Sequence, residues 1–153
     1  MAKILVVDDV DDVADSLAEL LRLCGYDVTV AYSAAQAISK IESCLPDVVL
    51  VDINMPVVDG FQLARQIRRR WGARIRLVAH TAYPRSSVAA QAGEAGFTSL
   101  VSKSARPLEL ALTVGGRARA AELRATALRD RRRSQRFGSA SRRATDLRSR
   151  FAA

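Results

Sequence analysis

Five short apolar runs, separated by stretches of helical periodicity, constrain the fold of this chain more than any other feature. Ile4–Val7, Asp27–Tyr32, Asp47–Val51, Ile75–Ala79 and Thr98–Val101 read as strands. Between the first two, Val13, Leu17, Leu20, Leu21 and Cys24 recur at helical spacing, and Gly25 follows as a stop. Ser33 can cap a second helix in which Ala34, Ala37, Ile38 and Ile41 share a face, and Pro46 ends that region. After Gly60, Phe61, Ala64 and Ile67 mark a third helix, with Arg65 and Arg68–Arg70 on its exposed side. Ser86–Ala95 is a small-residue fourth helix, and Pro107 suits the first turn of a fifth through Leu108, Ala111 and Leu112. Strands that are apolar on both faces and alternate with helices predict an α/β fold, a five-stranded parallel sheet covered by helices on both sides.

Charge divides the chain. Its 153 residues leave room for one domain plus an extension. The net charge is +8, yet residues 1–112 hold 12 basic and 13 acidic groups. Residues 113–153 hold 12 arginines against Glu122, Asp130 and Asp146. The expected division is a domain over 1–114 and an Arg-rich extension over 115–153, partly helical or disordered. No apolar run approaches the ~18 residues of a membrane span, and no export signal is visible, which suits a cytoplasmic chain. Cys24 and Cys44 lack metal-ligand spacing and are expected to face the core from their helices. The single His80 excludes a multi-histidine metal site and reads as a strand-end residue.

In a parallel sheet of this kind the ligand site lies outside the carboxyl ends of the strands. The residues just past those ends are Asp8, Asp9, Asp52, Thr81 and Lys103. Three crowded carboxylates repel one another, and a divalent cation relieves the repulsion. All-oxygen ligation favours Mg²⁺ or Mn²⁺ over zinc. A lysine and a hydroxyl opposite the metal complete a clamp for a transferring phosphoryl group. The chain has no G-x-x-x-x-G-K-[ST] motif to cradle a nucleotide, so the phosphoryl donor comes from elsewhere and a carboxylate can accept it. Taken alone, Asp8-Asp9 would more often be a turn or helix cap. Asp11, Asp12 and Asp15 read as favourable charges in the first helical turn, and Asp59-Gly60 as turn chemistry.

The run Lys3–Asp9, then Val49–Gly60 with Asp52 and the Met55-Pro56 loop, then Thr81-Ala82, then Lys103, resembles a two-component response-regulator receiver domain, chemotaxis-receiver-like, over about residues 2–114. The resemblance implies a doubly wound, flavodoxin-like sheet of order 2-1-3-4-5 and a bacterial signalling protein. It implies Asp52 as phosphoacceptor from a sensor histidine kinase or histidine phosphotransfer protein. Mg²⁺ would be held by Asp9, Asp52 and the backbone carbonyl of Asn54, with Asp8 acting through a water. Thr81 and Lys103 would bind phosphoryl oxygens, and Ala82 would keep the approach open. Asn54 and Tyr83 would flank the path of hydrolytic water and tune the phosphoform lifetime. The implied role is a phosphoprotein that assists its own phosphotransfer and dephosphorylation, not an enzyme acting on a separate substrate, with a downstream protein partner at the fourth-helix to fifth-helix face.

Two positions depart from the family pattern. The switch aromatic three residues before the lysine is Leu100 here, which cannot swing a phenol toward a displaced threonine; Tyr83, in a different loop, is the candidate substitute. The lysine is usually followed by a proline across a cis peptide. Ser104 stands here, and the cis form is expected to persist despite its cost of ~2.5–4 kcal/mol. The tail allows a second function class, a receiver-regulated module whose Arg131–Arg133, Arg142 and Arg143 contact the phosphates of nucleic acid or lipid. Only Phe137 and Phe151 could stack on bases there. A third class is a pseudo-receiver used for protein contact, which the complete acidic set argues against.

Overall fold

The computed structural model describes residues 1–116 and, beyond them, 121, 122, 125, 126, 128, 129 and 131. The strands are β1 (Lys3–Val7), β2 (Asp27–Ala31), β3 (Val48–Asp52), β4 (Arg76–Thr81) and β5 (Ser99–Ser102). They alternate with helices α1 (Asp11–Leu23), α2 (Ala34–Cys44), α3 (Gly60–Trp71) and α4 (Arg85–Ala95), and a fifth helix, α5, begins at 107 and is followed to 116. All pairs are parallel and the strand order is β2-β1-β3-β4-β5. This is the doubly wound sheet that the apolar runs and the resemblance predict. By internal contacts the chain divides into Met1–Gly115 and Gly116–Ala153. In the second unit the described residues are helical, and most are exposed. Arg132, Arg133, Arg142, Arg143, Phe137 and Phe151 lie outside the described residues.

Successive side chains of a strand point to opposite faces, so each strand feeds two cores. Leu5, Val7, Val49, Val51, Leu77 and Ala79 pack with Ala37, Ile41, Phe61, Leu63, Ile67 and Phe97. Ile4, Val6, Leu50, Val78 and Val101 pack on the other face with Ala14, Ala18, Leu21, Leu110 and Val114. The expected stripe of α1 packs on this second cluster, with Leu21 buried and Leu17, Leu20 and Cys24 partly buried against it. Ala14, Ala18 and Leu21 are buried, whereas Val13, Leu17 and Leu20 are half-buried toward α5. Small alanines let the helix approach the sheet, and the larger residues one position earlier turn to its flank.

Local chemistry explains the helix starts. Ser33 Oγ accepts the Gln36 N–H (3.2 Å), as its type predicts. Asp59 does more than turn the chain: it accepts the Gln62 N–H, while Gln62 Oε1 accepts the Asp59 N–H, a capping box. Two expectations are corrected. Arg68 is half-buried rather than exposed; it donates to the carbonyls of Gly96, Gly72 and Ile75, tying the end of α3 to the end of α4. Cys44 is exposed at the end of α2, its thiol donating to the Lys40 carbonyl, because the buried stripe of that helix runs through Ala34, Ala37 and Ile41.

Candidate functional site

The carboxyl ends of β1, β3, β4 and β5 deliver Asp8, Asp52, Thr81 and Lys103 to one edge of the sheet. Asp8 and Asp52 are 1% and 3% exposed, an unusual burial for carboxylates and one that needs partners. Asp8 Oδ1 accepts the Val10 N–H (3.0 Å), and Asp52 Oδ1 accepts the Asn54 N–H (3.1 Å). Lys103 Nζ lies 3.2 Å from Asp52 Oδ1 and 3.4 Å from Asp8 Oδ2. One ammonium thus bridges two carboxylates. The resemblance gave Lys103 a phosphoryl role and left this double pairing unstated; only the β1–β3–β5 arrangement reveals it.

Asp8, Asp9 and Asp52 each offer an oxygen within 4.8 Å of the others, a grouping that could hold a metal ion. Hard oxygen donors crowded this closely fit Mg²⁺. Burial raises the Asp52 carboxyl above its ordinary value; the Asn54 N–H opposes this, the Asp8 charge adds to it, and Lys103 only partly offsets it. For Lys103, burial acts to lower the pKa, but the hydrogen bond and charge of Asp52, joined by Asp8, outweigh it and raise the group. The carboxylate pair is thus under-neutralised by a single ammonium, the state a divalent cation would correct.

Thr81 is buried, with Oγ1 accepting the Tyr83 N–H (2.9 Å) and its carbonyl accepting the Lys103 N–H (2.8 Å). The first bond shapes the turn after β4, and the second ties the β4 end to the residue after β5. Ala82, Tyr83 and Asn54 are exposed around the site, Tyr83 at 49%. Leu100 is buried in the core beneath α4, and Arg85 Nη1 donates to its carbonyl (3.2 Å).

The expected cis peptide after Lys103 is corrected: no cis peptide occurs among the described residues. Serine, unlike proline, keeps its N–H, and Ser104 donates it to Ser102 Oγ (3.1 Å) in the turn. The cost of a non-proline cis bond is avoided. Gly60 was read only as turn chemistry, but its role is close approach. A Cβ there would sit 2.5 Å from the Asp52 carbonyl oxygen and 2.7 Å from Ile53 Cα, so α3 can begin against β3 only without a side chain. His80 is the penultimate residue of β4, the strand-end position expected of it. It is buried in β4, and its Nδ1 has no hydrogen-bond partner. Burial, then the Lys103 charge, lower its pKa from 6.5 to about 4, with Asp8 in partial opposition.

Residues 4–114 match the family model for the response regulator receiver domain. An uncharacterized 14.6 kDa protein of Leptolyngbya boryana is 40% identical over 108 residues, 70% of this chain and 82% of that protein. The transcriptional regulatory protein PrrA of Mycobacterium tuberculosis is 42% identical over 66 residues, 43% of this chain, and the match spans 28% of PrrA. The crystal structure of the chemotaxis response regulator CheY4 of Vibrio cholerae superposes with a TM-score of 0.67 at 27% identity, covering 72% of this chain and 92% of that one. These likenesses favour a phosphorelay role over the nucleic-acid and pseudo-receiver alternatives. Among the described residues, no helix is long and apolar enough to cross a membrane. With the sheet order and the carboxylate cluster in place, the chain belongs to the response-regulator receiver family of two-component signal transduction.

Proposed function

We propose that Asp52 is the phosphoacceptor, taking a phosphoryl group from the phosphohistidine of a sensor kinase or phosphotransfer protein. An Asp52 oxygen attacks phosphorus; the O–P bond forms as the P–N bond breaks, and the electron pair returns to the donor imidazole. Water later attacks the acyl phosphate, releasing inorganic phosphate and restoring the carboxylate. The observation that carries this reading is Asp52 itself: a buried carboxylate within 4.8 Å of two others and 3.2 Å from an ammonium.

Asp9, Asp52 and the Asn54 carbonyl would hold Mg²⁺, with Asp8 through a water; the ion supplies charge stabilisation for the phosphoryl oxygens. Lys103, already bridging Asp8 and Asp52, exchanges part of that pairing for a phosphoryl oxygen. Thr81 Oγ1 gives up the Tyr83 N–H and donates to another. Ala82 leaves the approach open, while Asn54 and Tyr83, both exposed, flank the water path and set the lifetime. Leu100, only 8% exposed, does not act as a swinging switch. The domain boundary is set at 114/115, the compartment is the cytoplasm, and the chain acts as a phosphoacceptor that assists its own reactions. Its output goes to a protein partner.

A small-molecule phosphodonor such as acetyl phosphate, with Mg²⁺, tests the assignment by intact-mass analysis. One phosphoform is expected, absent in Asp52→Asn and absent after chelation. Undiminished labelling of Asp52→Asn rejects the acceptor. Phosphotransfer profiling against histidine kinases of the same organism then identifies the donor.

A further inference from the structure

The sheet ends at β2 on one side, so the outer row of backbone groups on that strand faces no neighbouring strand. The Asp27 N–H donates to the Ala2 carbonyl and the Ala31 carbonyl accepts the Asp8 N–H, both toward β1. Alternation therefore turns the backbone groups of Val28 and Val30, and of Tyr32 just past the strand, outward. A side chain meets each of these three residues. Arg22 Nη2, from the last turn of α1, donates to the Val28 carbonyl (2.8 Å). Lys40 Nζ, from α2, donates to the Val30 carbonyl. Gln36 Oε1, one turn earlier on α2, accepts the Tyr32 N–H (3.0 Å). The caps come from both faces of the sheet, since α1 and α2 pack on opposite sides of it. Water would satisfy the same groups at an open edge, so solvation does not require a side chain fixed there. What a fixed side chain adds is exclusion of another strand, for which an uncovered edge is a template.

We infer that Arg22, Lys40 and Gln36 form a strap that closes the β2 edge against strand addition by a second copy of this chain. The pairing it excludes is antiparallel about a two-fold axis, with the Thr29 residues of the two copies face to face. Val28 of each copy would then exchange N–H···O bonds with Val30 of the other, and both carbonyls would have to leave their cations. A second copy is the favoured occupant because such an axis lets one outward row serve both partners. The strap lies away from the acidic edge, so it does not depend on the acceptor assignment of Asp52.

Sedimentation equilibrium of the full chain tests the strap. Each cap that a second copy must displace weakens pairing by about tenfold, so Arg22→Ala/Lys40→Ala should self-associate about a hundredfold more tightly than the parent. Amide exchange at Val28 and Val30 should slow as the concentration of that variant rises, and should not change with concentration in the parent. Arg69→Ala/Arg74→Ala removes the same charge from exposed positions on α3 and just after it, and should match the parent. Lys40→Arg, which keeps a donor, should match it too. Should the double variant fail to fold, Lys40→Ala alone is expected to show a gain of about tenfold. Unchanged self-association of the edge variants, an equal gain in Arg69→Ala/Arg74→Ala, or exchange at Val28 and Val30 that ignores concentration would each overturn the inference.

Discussion

The two faces of the sheet are built from the same strands and packed by different means. On the α2–α3–α4 face, large residues interdigitate: Leu63, Ile67, Ile75 and Leu77 are fully buried, and Phe61 meets Phe97 edge to face at 6.3 Å. On the α1–α5 face the helix contributes alanines, leaves Leu17 and Leu20 half-buried, and shares the interior with an unpaired histidine. The first face is a solid core that fixes where Asp52 and Thr81 emerge. The second is equally buried at Ile4, Val6, Leu21 and Leu50, but its half-buried residues line a cleft at the edge of α1. The difference teaches that the sheet is sealed on both faces by unlike means: large interlocking side chains on one, and on the other small alanines that let a helix come close.

Truncation tests this contrast most severely. Ile67→Ala should cost about 2–5 kcal/mol, because it opens a cavity in the packed face. Leu17→Ala, at the cleft, should cost about 1 kcal/mol or less, read by urea unfolding at constant m-value. Similar losses would erase the distinction between the faces.

A second test uses pH. His80 is depressed from 6.5 to about 4, so the unfolded chain binds its proton more readily. That contribution to stability is complete above pH 6.5 and is lost as pH falls toward 4, by roughly 3 kcal/mol. His80→Leu should flatten this slope. Asp52 acts with the opposite sign: its raised carboxyl favours the folded state at low pH, and that contribution is lost as pH rises through its folded value. The slope surviving unchanged in His80→Leu would place its origin elsewhere.

The site end of the molecule can be relieved independently. At neutral pH, Mg²⁺ at a hundred times its Kd should stabilise the chain by ~2.7 kcal/mol. Asp52→Asn should lose most of that gain while unfolding at a higher temperature than the parent in chelator. The loop carrying the site offers the smallest effect. Val57 is fully exposed at φ 67, a left-handed conformation that a β-branched residue tolerates poorly. Val57→Gly should stabilise by about 1 kcal/mol in thermal unfolding, and an unchanged or lower midpoint would remove the strain assignment.

Much of this molecule was legible before any coordinates. Runs such as Val48–Val51 announced buried strands, and the residues ending them announced the acidic edge, because local hydrophobicity and chain order suffice for both. The grouping at that edge was legible for the same reason: Asp52 and Thr81 end their strands, and Asp8, Asp9 and Lys103 follow theirs. The stripe of α1 was legible too, but not that Ala14 and Ala18 would be buried beside Leu21 while Leu17 and Leu20 stay half-buried, because both sets have helical spacing and only the distance to the sheet chooses between them. Gly60 looked like any turn glycine until the Asp52 backbone was seen to occupy the space of its Cβ.

Sequence by itself determined the strands, their alternation with helices and the identity of the charged groups at the sheet's edge, since these depend on neighbours along the chain. The tertiary structure alone decided that Lys103 bridges Asp8 and Asp52, that the peptide after it is trans, and that His80 is buried without a partner for Nδ1. The first and last of those depend on groups tens of residues apart, whose distances exist only once the sheet is assembled; the trans peptide is settled locally, where Ser104 donates to Ser102 Oγ.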